Sequence, residues 1–487
     1  MRIEDLLRGV AVERLAGALP AAVTGLHYDS RRIEPGWAFV AIRGEQTDGN
    51  NFVAAARLRG ATLIVSERPS IPGVPWAQVK QARQALATAA ANWFERPAER
   101  LRLVGITGTN GKTTTAWLIE HLLQQAHWGV GMLGTIEYHI NSNVLPSPHT
   151  TPESYDLHRL LATMVELNCR AAVMEVSSHA LALDRVWGCR FEVAVFTNLT
   201  QDHLDFHQSM AAYSAAKLRL FQGWGAAAPS WAVVNGDDAA SQAMLEGFKG
   251  QVLRYGFGEG LEITGSELEQ GPRGLRLRVR LPDGYKHLLA SPMLGRVNAL
   301  NLMAAVGAGL ALGVEGGRAV AGAETLTRVP GRFEKVWCGQ PFSVVVDYAH
   351  TPDALAKVLS LARELAAGRV LLVFGCGGDR DRGKRPLMGQ AAQAGADWVL
   401  VTSDNPRGED PGAIIAEILT GAPRGGMATQ PDRAQAIWEA VAEARAGDVV
   451  VIAGKGHENY QIVGAERRPF SDVGQVQAAL AARGWTE

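Results

Sequence analysis

Cysteine is scarce in this sequence, and its few cysteines form no recognisable pair. The chain of 487 residues has 4 cysteines, none of them in a CxxC motif: Cys169, Cys189, Cys338 and Cys376. This spacing argues against a disulfide scaffold and against a structural zinc site. We therefore expect a protein of a reducing compartment, located in the cytoplasm.

An excess of either charge is also absent. Lys and Arg number 48 and Asp and Glu number 49, so the net charge is −1. Proteins that bind nucleic acids usually carry a basic excess, and we therefore expect no nucleic-acid partner. Hydrophobic residues make up 47% and charged residues 20% of the chain, which excludes extensive disorder and allows each domain a buried core.

Long apolar segments are nearly absent as well. The one candidate is the uncharged run from Val297 to Val314, which is at the lower limit of the length needed to cross a bilayer. Asn298, Asn301 and several glycines weaken its insertion, so we predict a buried helix and no membrane span. The N-terminal residues 1–5 carry both charge signs and no apolar segment follows them, so we expect no secretory signal.

Two stretches are typical of domain boundaries. Glu95 to Arg100 is charged and contains proline, and Thr327 to Arg332 contains a Pro-Gly turn. At roughly 150 residues per domain, the length also suggests about three domains. We expect domains at residues 1–99, 100–328 and 329–487.

The second and third of these regions alternate short apolar runs with Ala- and Leu-rich helical stretches. Runs without polar alternation are typical of parallel strands covered on both faces, which predicts doubly wound α/β domains. Ligands of such sheets bind at the carboxyl ends of the strands. The predicted strands are Leu103–Thr107, Ala172–Val176, Val193–Thr197, Trp231–Asn235, Ser343–Asp347, Val370–Phe374, Trp398–Thr402 and Val449–Ala453.

A glycine-rich segment follows the first of these strands and precedes a helical pattern. Glycine lets backbone N–H groups approach phosphate oxygens, and a helix N-terminus adds partial positive charge. Lys112 is expected to reach the terminal phosphates and Thr113 to offer its hydroxyl to Mg²⁺. An ordinary strand-to-helix turn is the alternative, and Ile106 departs from the GxxxxGK[ST] pattern. The predicted phosphate-loop residues are Gly108, Thr109, Asn110, Gly111, Lys112, Thr113 and Thr114.

Polar residues cluster after two later strands. Oxygen ligands next to a phosphate loop suit Mg²⁺, whereas any one of these residues alone is equally well explained as a turn cap or a surface charge. The candidates are Glu175, His179, Asn198, Asp202, His203, Asp205 and His207.

Lys217 interrupts an otherwise apolar helical stripe formed by Met210, Tyr213, Leu220 and Phe221. One explanation is a snorkelling side chain whose ammonium reaches water. The other is an inward lysine with a lowered pKa, directed at the phosphates or chemically modified.

These residues together carry a family resemblance that spans nearly the whole chain. The chain resembles the Mur ligases of peptidoglycan synthesis, and within them the branch that adds the third residue of the stem peptide. The motifs that carry the resemblance are Gly108–Thr113, Glu175–His179, Thr197–His203, Gly331–Arg332, Asp347–Pro352, Gly375–Arg380, Asp404–Arg407 and Gly454–Glu458.

The resemblance implies a fold and a set of roles. It implies a small N-terminal α/β UDP-binding domain, a central doubly wound ATPase domain and a C-terminal Rossmann-like domain. Lys112, Lys217 and His203 are implied to be catalytic. Two Mg²⁺ ions are implied on Thr113, Glu175, His203 and a carbamylated Lys217. Asn301, Arg332 and Asp347 are implied to contact ATP, and the UDP-sugar dipeptide is implied to contact Ser30, Glu45, Gln46, Thr47, Thr150, Thr151, Ser177 and Arg185.

The segment Asp404–Arg407 bears on the choice of amino acid. Without the resemblance it is better explained as a proline-containing turn; within the family its sequence implies meso-diaminopimelate. Arg407 is the candidate for the distal carboxylate, because a guanidinium binds a carboxylate bidentately. The implied pocket is Arg380, Asp404, Asn405, Pro406, Arg407, Gly454 and Glu458, with Glu458 available to the distal ammonium.

The expected reaction joins meso-diaminopimelate to the D-Glu carboxylate of UDP-MurNAc-L-Ala-D-Glu through an acyl phosphate formed from ATP. His203, His179 and His350 remain alternative bases for the incoming amine. Competing functions are an L-lysine-adding ligase, another amide ligase such as folylpolyglutamate synthetase, a nucleotide-switch regulator or an inactive scaffold. Asp29–Arg31 and Asp404–Arg407 argue against the folate enzyme, and no convincing DxxG switch element is present. We expect small-molecule substrates as partners and a monomer.

Overall fold

The computed structural model describes residues 1–44, 47–271, 274–422 and 426–486. The chain folds into two compact units. The first unit comprises Met1–Gly265, Val279–His287 and Leu300–Ala323, and the second comprises Ser266–Arg278, Leu288–Ala299 and Glu324–Glu487. The domain boundaries expected after residues 99 and 328 stay a prediction.

The first hundred residues form a five-stranded sheet with short helices. Its strands are β1 (Val12–Ala16), β2 (Gly25–His27), β3 (Trp37–Val40), β4 (Leu63–Ser66) and β5 (Trp76–Val79), in the order β1-β5-β4-β3-β2. The helices are α1 (Ile3–Leu6), α2 (Val53–Leu58) and α3 (Ala82–Trp93), with 3₁₀ turns at Ser30–Arg32, Gly49–Phe52 and Pro97–Glu99. α3 is rich in alanine, a strong helix former, and it buries Leu86 and Ala90 in the core of this region.

The central region contains a larger sheet. Its strands are β6 (Arg102–Thr107), β7 (Val130–Leu133), β8 (Glu137–Ile140), β9 (Asn143–Pro146), β10 (Ala171–Glu175), β11 (Phe191–Phe196), β12 (Trp231–Asn235), β13 (Gln251–Gly256), β14 (Ile263–Gly271), β15 (Gly274–Arg280) and β16 (Lys286–Ser291). Its helices are α4 (Lys112–Gln125), α5 (Ser154–Glu166), α6 (Ser178–Ala182), α7 (Leu204–His207), α8 (Met210–Gln222), α9 (Ser241–Met244), α10 (Arg296–Ala311) and α11 (Gly316–Glu324). Within the first unit β13-β12-β11-β6-β10-β7 run parallel, and β8 and β9 add antiparallel.

The C-terminal region, which lies in the second unit, has a sheet covered on both faces. Its strands are β17 (Glu334–Val336), β18 (Ser343–Asp347), β19 (Val370–Phe374), β20 (Trp398–Val401), β21 (Met427–Thr429) and β22 (Val449–Ala453), ordered β17-β18-β22-β19-β20-β21, followed by the hairpin β23 (Tyr460–Val463) and β24 (Glu466–Pro469). Its helices are α12 (Pro352–Leu365), α13 (Lys384–Gly395), α14 (Pro411–Leu419), α15 (Arg433–Glu443) and α16 (Asp472–Ala482). Leu359 and Met388 pack in one core and Ile437 and Leu480 in another.

The strands predicted from apolar runs are confirmed to within a few residues at each end. β6, β10, β11 and β12 are parallel to one another, as are β18, β22, β19 and β20. Because parallel strands present their carboxyl ends at one edge, the polar motifs that follow them collect there.

The uncharged run from Val297 to Val314 is helical over most of its length, as predicted, in α10. Its residues Ala304 and Val306 are fully buried. None of the helices that the structure describes has the length and apolar character needed to cross a bilayer.

Candidate active site

The loop between β6 and α4 depends on glycine at two positions. Gly108 has a φ of +145°, and a Cβ there would lie 2.0 Å from Thr197 Oγ1. Gly111 has a φ of +84°, and a Cβ there would lie 2.6 Å from Asn301 Oδ1. Such distances leave no room for a side chain, so this backbone path is open to glycine alone. α4 then begins at Lys112 and directs the N–H groups of its first turn into the loop.

Polar residues that follow β11 hold this loop in place. Thr197 Oγ1 donates to Asn110 O at 2.6 Å, and the Asn110 N–H donates to Asn198 Oδ1 at 3.0 Å. Thr109 Oγ1 donates to Thr200 O at 3.1 Å and accepts the Thr200 N–H at 3.0 Å. The loop is therefore fixed by a neighbouring strand end as well as by its own sequence.

Two of the predicted nucleotide contacts lie on helices beside the loop. Thr114, in the first turn of α4, is buried, and so is Asn301 of α10. Asn301 Oδ1 accepts the hydroxyl of Thr115 at 3.3 Å. The structure thus brings Asn301 to the phosphate loop across a long sequence separation, as the prediction requires.

Two lysines share one carbonyl oxygen of the loop. Lys112 Nζ donates to Gly108 O at 2.9 Å and to Thr109 O at 2.7 Å. Lys217 Nζ donates to the same Gly108 O at 2.8 Å. This places the side-chain nitrogens of both lysines at the same point of the phosphate loop.

Lys217 points inward, which is one of the two alternatives that the helical pattern left open. It is 1% exposed, and its Nζ lies 4.4 Å from the centre of the Tyr213 ring. Burial lowers the pKa of Lys217 well below 10.5, Lys112 lowers it further, and Asp202 opposes the shift. The snorkelling alternative is wrong, because the ammonium does not reach water.

A buried carboxylate lies beside the loop at the end of β10. Glu175 is 1% exposed, and its Oε2 accepts the hydroxyl of Thr113 at 2.9 Å. Thr135 donates to the same carboxylate twice, from its N–H at 2.7 Å and from its hydroxyl at 3.0 Å. The structure therefore joins Thr113 and Glu175, both predicted magnesium ligands.

The chemistry of this group fits Mg²⁺. Thr113 and Glu175 offer a hydroxyl and a carboxylate oxygen, and Mg²⁺ usually takes one or two protein oxygens, with water and substrate phosphates completing its coordination. Over residues 1–44, 47–271, 274–422 and 426–486, no group of three or more His, Cys, Asp or Glu side chains is arranged to hold a metal ion. The arrangement therefore suits an ion shared with a nucleotide rather than a cage made by the protein alone.

Histidine rings gather near the loop. The ring centres of His179 and His203 are 4.8 Å apart in an edge-to-face arrangement, and Tyr213 packs 5.2 Å from His207. His203 has a φ of +52°, a backbone conformation that is uncommon outside glycine. Burial lowers the pKa of His203, Asp202 opposes the shift, and Lys112 and Lys217 add to it. The lowered pKa favours the neutral imidazole of His203, which is the form that can accept a proton.

Four residues predicted to contact the dipeptide meet at one place in the first unit. Thr150 shares a hydrogen bond of 3.1 Å with Thr135 through their hydroxyls. Thr151 Oγ1 accepts the Ser177 N–H at 3.2 Å, and Arg185 Nη1 donates to Thr151 O at 3.1 Å. Ser177 also caps α6 through the Ala180 N–H, so its hydroxyl has a structural task.

The N-terminal candidates are only partly described. Ser30 is buried in a 3₁₀ turn capped by Asp29, whose Oδ1 accepts the Arg31 N–H at 2.9 Å. Thr47 is exposed, and its carbonyl accepts the Gly44 N–H at 2.8 Å. The remaining two candidates of this group, Glu45 and Gln46, lie outside the described residues.

In the second unit, the candidates Arg332 and Asp347 lie around β18. Asp347 Oδ2 accepts the Phe333 N–H at 2.7 Å, and its Oδ1 accepts the Ala349 N–H at 2.8 Å. The Arg332 guanidinium lies 5.2 Å from the centre of the Tyr348 ring. Burial raises the pKa of Asp347, and Arg332 and the two N–H donors oppose this shift.

Residues predicted to bind the amino acid lie after the carboxyl ends of β20 and β22. Asn405 is 2% exposed; its Nδ2 donates to Glu458 Oε2 at 2.8 Å, and its Oδ1 accepts the Ile462 N–H at 2.9 Å. Gly454 has a φ of +115°, and a Cβ there would lie 2.7 Å from Asp404 Oδ2. Asp404, Asn405, Gly454 and Glu458 are therefore neighbours in the fold, as the resemblance implied.

The side chains of Arg407 and Arg380 both lie close to Gly377. A Cβ on Gly377 would lie 2.9 Å from Arg407 Nη1 and 3.7 Å from Arg380 Cγ. Arg407 has a φ of +49°, and its Nη1 donates to Gly378 O at 2.9 Å. Among the described residues, its Nη2 and Nε donate to no protein acceptor, which suits a side chain that binds a carboxylate. Pro406 contributes its carbonyl, which accepts the Glu409 N–H at 3.0 Å.

Several residues that contact these sites were not among the predicted ones. Thr135 follows β7 and donates a hydrogen bond to Glu175. Its position directly after an apolar run could have indicated a role at the site. Arg83 and Glu153, paired at 2.8 Å, carry no local pattern. Lys455 lies inside the quoted motif Gly454–Glu458, but no role was predicted for it.

Comparisons with known proteins match three parts of the chain to models of one family. Residues 106–309 match the Mur ligase middle domain, residues 331–456 the Mur ligase glutamate ligase domain, and residues 22–101 the catalytic domain of the Mur ligase family. The chain is 46% identical to the UDP-N-acetylmuramoyl-L-alanyl-D-glutamate–2,6-diaminopimelate ligase of Solibacter usitatus over 100% of this chain and 99% of the relative. It is 44% identical to the ligase of the same name from Geobacter metallireducens over 99% and 98%.

A solved structure gives the same result. A structure of a UDP-N-acetylmuramoyl-L-alanyl-D-glutamate–2,6-diaminopimelate ligase is 35% identical to this chain, covers 100% of both chains and superimposes with a TM-score of 0.73. Both the sequence and the fold therefore match over the full length. This chain belongs to the Mur ligase family.

Proposed function

We propose that this protein is an ADP-forming ligase of peptidoglycan precursor synthesis that adds meso-diaminopimelate to UDP-N-acetylmuramoyl-L-alanyl-D-glutamate. The observation that carries the proposal is the full-length similarity to ligases of that name, together with a phosphate loop whose lysines share Gly108 O. The carboxylate of the dipeptide is a poor acylating agent because its leaving group would be oxide. Transfer of the terminal phosphate of ATP converts it to an acyl phosphate, whose leaving group is phosphate.

The first step brings two anions together. Lys112 lies in the loop with its ammonium on Gly108 O and Thr109 O, and it offsets the charge that develops on the transferred phosphate. Thr113 and Glu175 hold Mg²⁺ in this proposal. When bound, the ion supplies Lewis-acid stabilisation of the phosphate oxygens. Ser177 and Arg185 both bond to Thr151, and the adjacent Thr150 bonds to Thr135, which supports a single binding site for the dipeptide portion.

We also propose that Lys217 is carbamylated. A neutral amine attacks CO₂ and releases a proton, and the product is a carbamate anion. Burial and the neighbouring Lys112 both favour the neutral amine of Lys217. A carbamate there would convert the amine beside Gly108 O into an anionic group whose oxygens could hold a second Mg²⁺. The ¹³C NMR spectrum of active enzyme equilibrated with ¹³C-bicarbonate at neutral pH tests this, because a carbamate gives a carbonyl signal that Lys217→Ala would lack. Active enzyme without such a signal would contradict the proposal.

In the second step the amine of diaminopimelate attacks the acyl phosphate. An α-amino group has a pKa of about 8, so most of it must lose a proton at neutral pH. His203 is our candidate base, since its lowered pKa favours the neutral imidazole. Arg407 is proposed to bind the distal carboxylate, because its Nη1 is anchored on Gly378 O while the rest of the guanidinium has no acceptor among the described residues.

The decisive experiment is an amino-acid panel. ADP release is measured with ATP, UDP-MurNAc-L-Ala-D-Glu and either meso-diaminopimelate or L-lysine. We expect kcat/KM for meso-diaminopimelate to exceed that for L-lysine by about 100-fold or more, because lysine leaves Arg407 without its carboxylate. A better rate with lysine would overturn the amino-acid assignment.

A variant pair tests the phosphate loop in the same assay. Lys112→Ala should abolish ADP release, whereas Lys249→Ala, at an exposed lysine of the same unit, should leave it unchanged. No amino-acid-dependent ADP release from the unmodified protein would mean that the chain is not a ligase.

A further inference from the structure

A buried lysine lies beneath the amino-acid pocket. The Lys455 side chain is 0% exposed, and its Nζ donates to Asn405 Oδ1 at 3.0 Å and to Glu458 Oε2 at 3.1 Å. Its Nζ also lies 5.4 Å from the centre of the Tyr460 ring. A charged group that is removed from water in this way needs close partners, and both polar partners are residues of the proposed pocket.

The partners of Lys455 are also bonded to each other. Asn405 Nδ2 donates to Glu458 Oε2 at 2.8 Å, so Lys455, Asn405 and Glu458 form a closed triangle of hydrogen bonds. The Ile462 N–H donates to Asn405 Oδ1 at 2.9 Å, which fixes the amide orientation. The amide of Asn405 therefore holds the pocket together and, at 2% exposure, offers little surface to a substrate.

The triangle leaves one carboxylate oxygen for another task. Glu458 Oε2 accepts from both Lys455 and Asn405, whereas Oε1 accepts from no donor among the described residues. Because Asn405 and Lys455 both donate to Oε2, rotation of the Glu458 carboxylate is restricted, and Oε1 keeps one orientation. An acceptor with a fixed direction discriminates between ligands better than a mobile one, since no side-chain freedom is lost on binding.

We propose that Lys455 is a positioning residue that fixes Glu458 for the far-end ammonium of the amino-acid substrate, and so sets the preference for a diamine. This inference rests on the proposed function, which supplies the substrate. The contribution of Lys455 is indirect, because its ammonium is occupied by Asn405 and Glu458.

The test compares three amino acids that differ only at the far end. meso-Diaminopimelate has both the distal ammonium and the distal carboxylate, L-2-aminopimelate lacks the ammonium, and L-lysine lacks the carboxylate. Lys455→Met keeps the length and removes the charge, and Lys455→Arg keeps the charge. Lys357→Met is the matched control, because Lys357 pairs with Asp353 on an exposed face of α12.

For Lys455→Met we expect the KM for meso-diaminopimelate to rise about 10-fold or more, with a smaller change in kcat. The KM for L-2-aminopimelate should change little, so the preference for meso-diaminopimelate over L-2-aminopimelate should fall by the same factor. Lys455→Arg should restore part of this preference, and Lys357→Met should not alter it. The preference is a ratio of kcat/KM values, so it does not depend on how much of a weakened variant is folded.

A double variant distinguishes a positioning role of Lys455 from a general loss of structure, because a positioning role acts only through Glu458. Glu458→Gln should reduce the same preference, and Lys455→Met added to Glu458→Gln should reduce it no further. A Lys455→Met enzyme that loses kcat with all amino acids and keeps the unmodified preference would overturn the inference. Failure of the unmodified protein to use meso-diaminopimelate would instead overturn the proposed function.

Discussion

The interactions that stabilise the phosphate loop of the first unit differ from those that stabilise the amino-acid pocket of the second unit. The loop relies on close backbone approach at Gly108 and Gly111 and on hydroxyl bonds from Thr197. The pocket relies on buried charges, since Arg433 and Lys455 have side chains that are 0% exposed. The loop therefore has no room for an added atom, whereas the pocket cannot lose a charge without leaving its partner buried.

Buried arginines also fix the backbone segments from which the amino-acid pocket is built. Arg433 Nη2 donates to Ala453 O at 3.0 Å, immediately before Gly454, so a buried arginine supports the strand end from which the pocket begins. Arg385 donates to both oxygens of Glu409, whose Oε1 accepts the Asp379 N–H at 2.6 Å, and this fixes the segment next to Arg380. Charge networks of this kind place pocket residues that are far apart in the sequence.

The largest effect is expected from Gly108→Ala. The added Cβ would lie 2.0 Å from Thr197 Oγ1 and would strain a φ of +145°. Because the loop positions Lys112 and several N–H donors together, we expect ADP-forming turnover to fall about 10³-fold or more, as loss of even one such donor is costly. Steady-state ADP release measures this.

Gly247→Ala provides the control for that variant. Gly247 also has a positive φ, +72°, but nothing lies within 4 Å of an added Cβ. It should lose about 1 kcal/mol of stability and keep full turnover. If Gly108→Ala kept as much activity as Gly247→Ala, the close approach at Gly108 would not be what limits the loop.

The second prediction removes a charge from the pocket side. Arg433 donates to Asp472 Oδ1 and Oδ2, both at 2.7 Å, and both side chains are 0% exposed. Arg433→Met leaves the Asp472 carboxylate buried without its partner, and we expect the free energy of unfolding to fall by about 3–5 kcal/mol. Urea unfolding followed by near-UV circular dichroism measures the change.

Two further variants test the reason for that loss. Arg433→Met combined with Asp472→Leu removes both charges and should be more stable than Arg433→Met alone. Arg468→Met, which breaks an exposed pair with Glu466, should cost no more than about 1 kcal/mol. If the double variant is the less stable of the two, the buried charge is not the cause.

The phosphate loop could be predicted from the sequence because the residues that form it are contiguous. Gly108 to Thr114 follow an apolar run and precede a helix, and the helical period alone placed Lys217 on the buried face. The parallel strands were predicted for a similar reason, since apolar runs without alternation reflect burial on both faces. Local pattern and tertiary environment agree at these positions.

The buried charged residues that support the pocket could not be predicted, because no local sequence pattern distinguishes them from exposed charges. Arg433 and Asp472 lie at the N-terminal ends of α15 and α16, where charged residues are ordinary. Lys455 stands in a glycine-rich turn that reads as exposed, yet it is fully buried. Only the folded chain shows which of the many charged residues become partners.

The third prediction concerns pH and the second unit. Burial, with Arg332 and Lys455, lowers the pKa of His457 from 6.5 to about 4. Between these values the unfolded state binds the proton and the folded state does not, so the free energy of unfolding decreases as the pH falls from about 6.5 to 4. The loss attributable to His457 should be no more than about 3 kcal/mol.

His457→Phe isolates this effect. Phenylalanine can keep the ring contact with Tyr348, whose ring centre lies 5.0 Å from that of His457, and it cannot titrate. The free energy of unfolding should therefore fall less steeply with decreasing pH in the variant than in the unmodified protein. Parallel curves for the two proteins over this range would contradict the prediction.

The smallest effect is expected from Thr197→Val, which returns to the phosphate loop. Valine has nearly the same shape but loses the hydroxyl that donates to Asn110 O at 2.6 Å. We expect about 1 kcal/mol of lost stability and a KM for ATP that rises several-fold, because the glycines still set the backbone path. Thr163→Val, which removes a comparable bond to Arg159 O on the exposed surface of α5, should leave the KM for ATP unchanged. A loss of activity as large as that of Gly108→Ala would mean that the loop depends on a single polar contact, as the pocket depends on its buried charges.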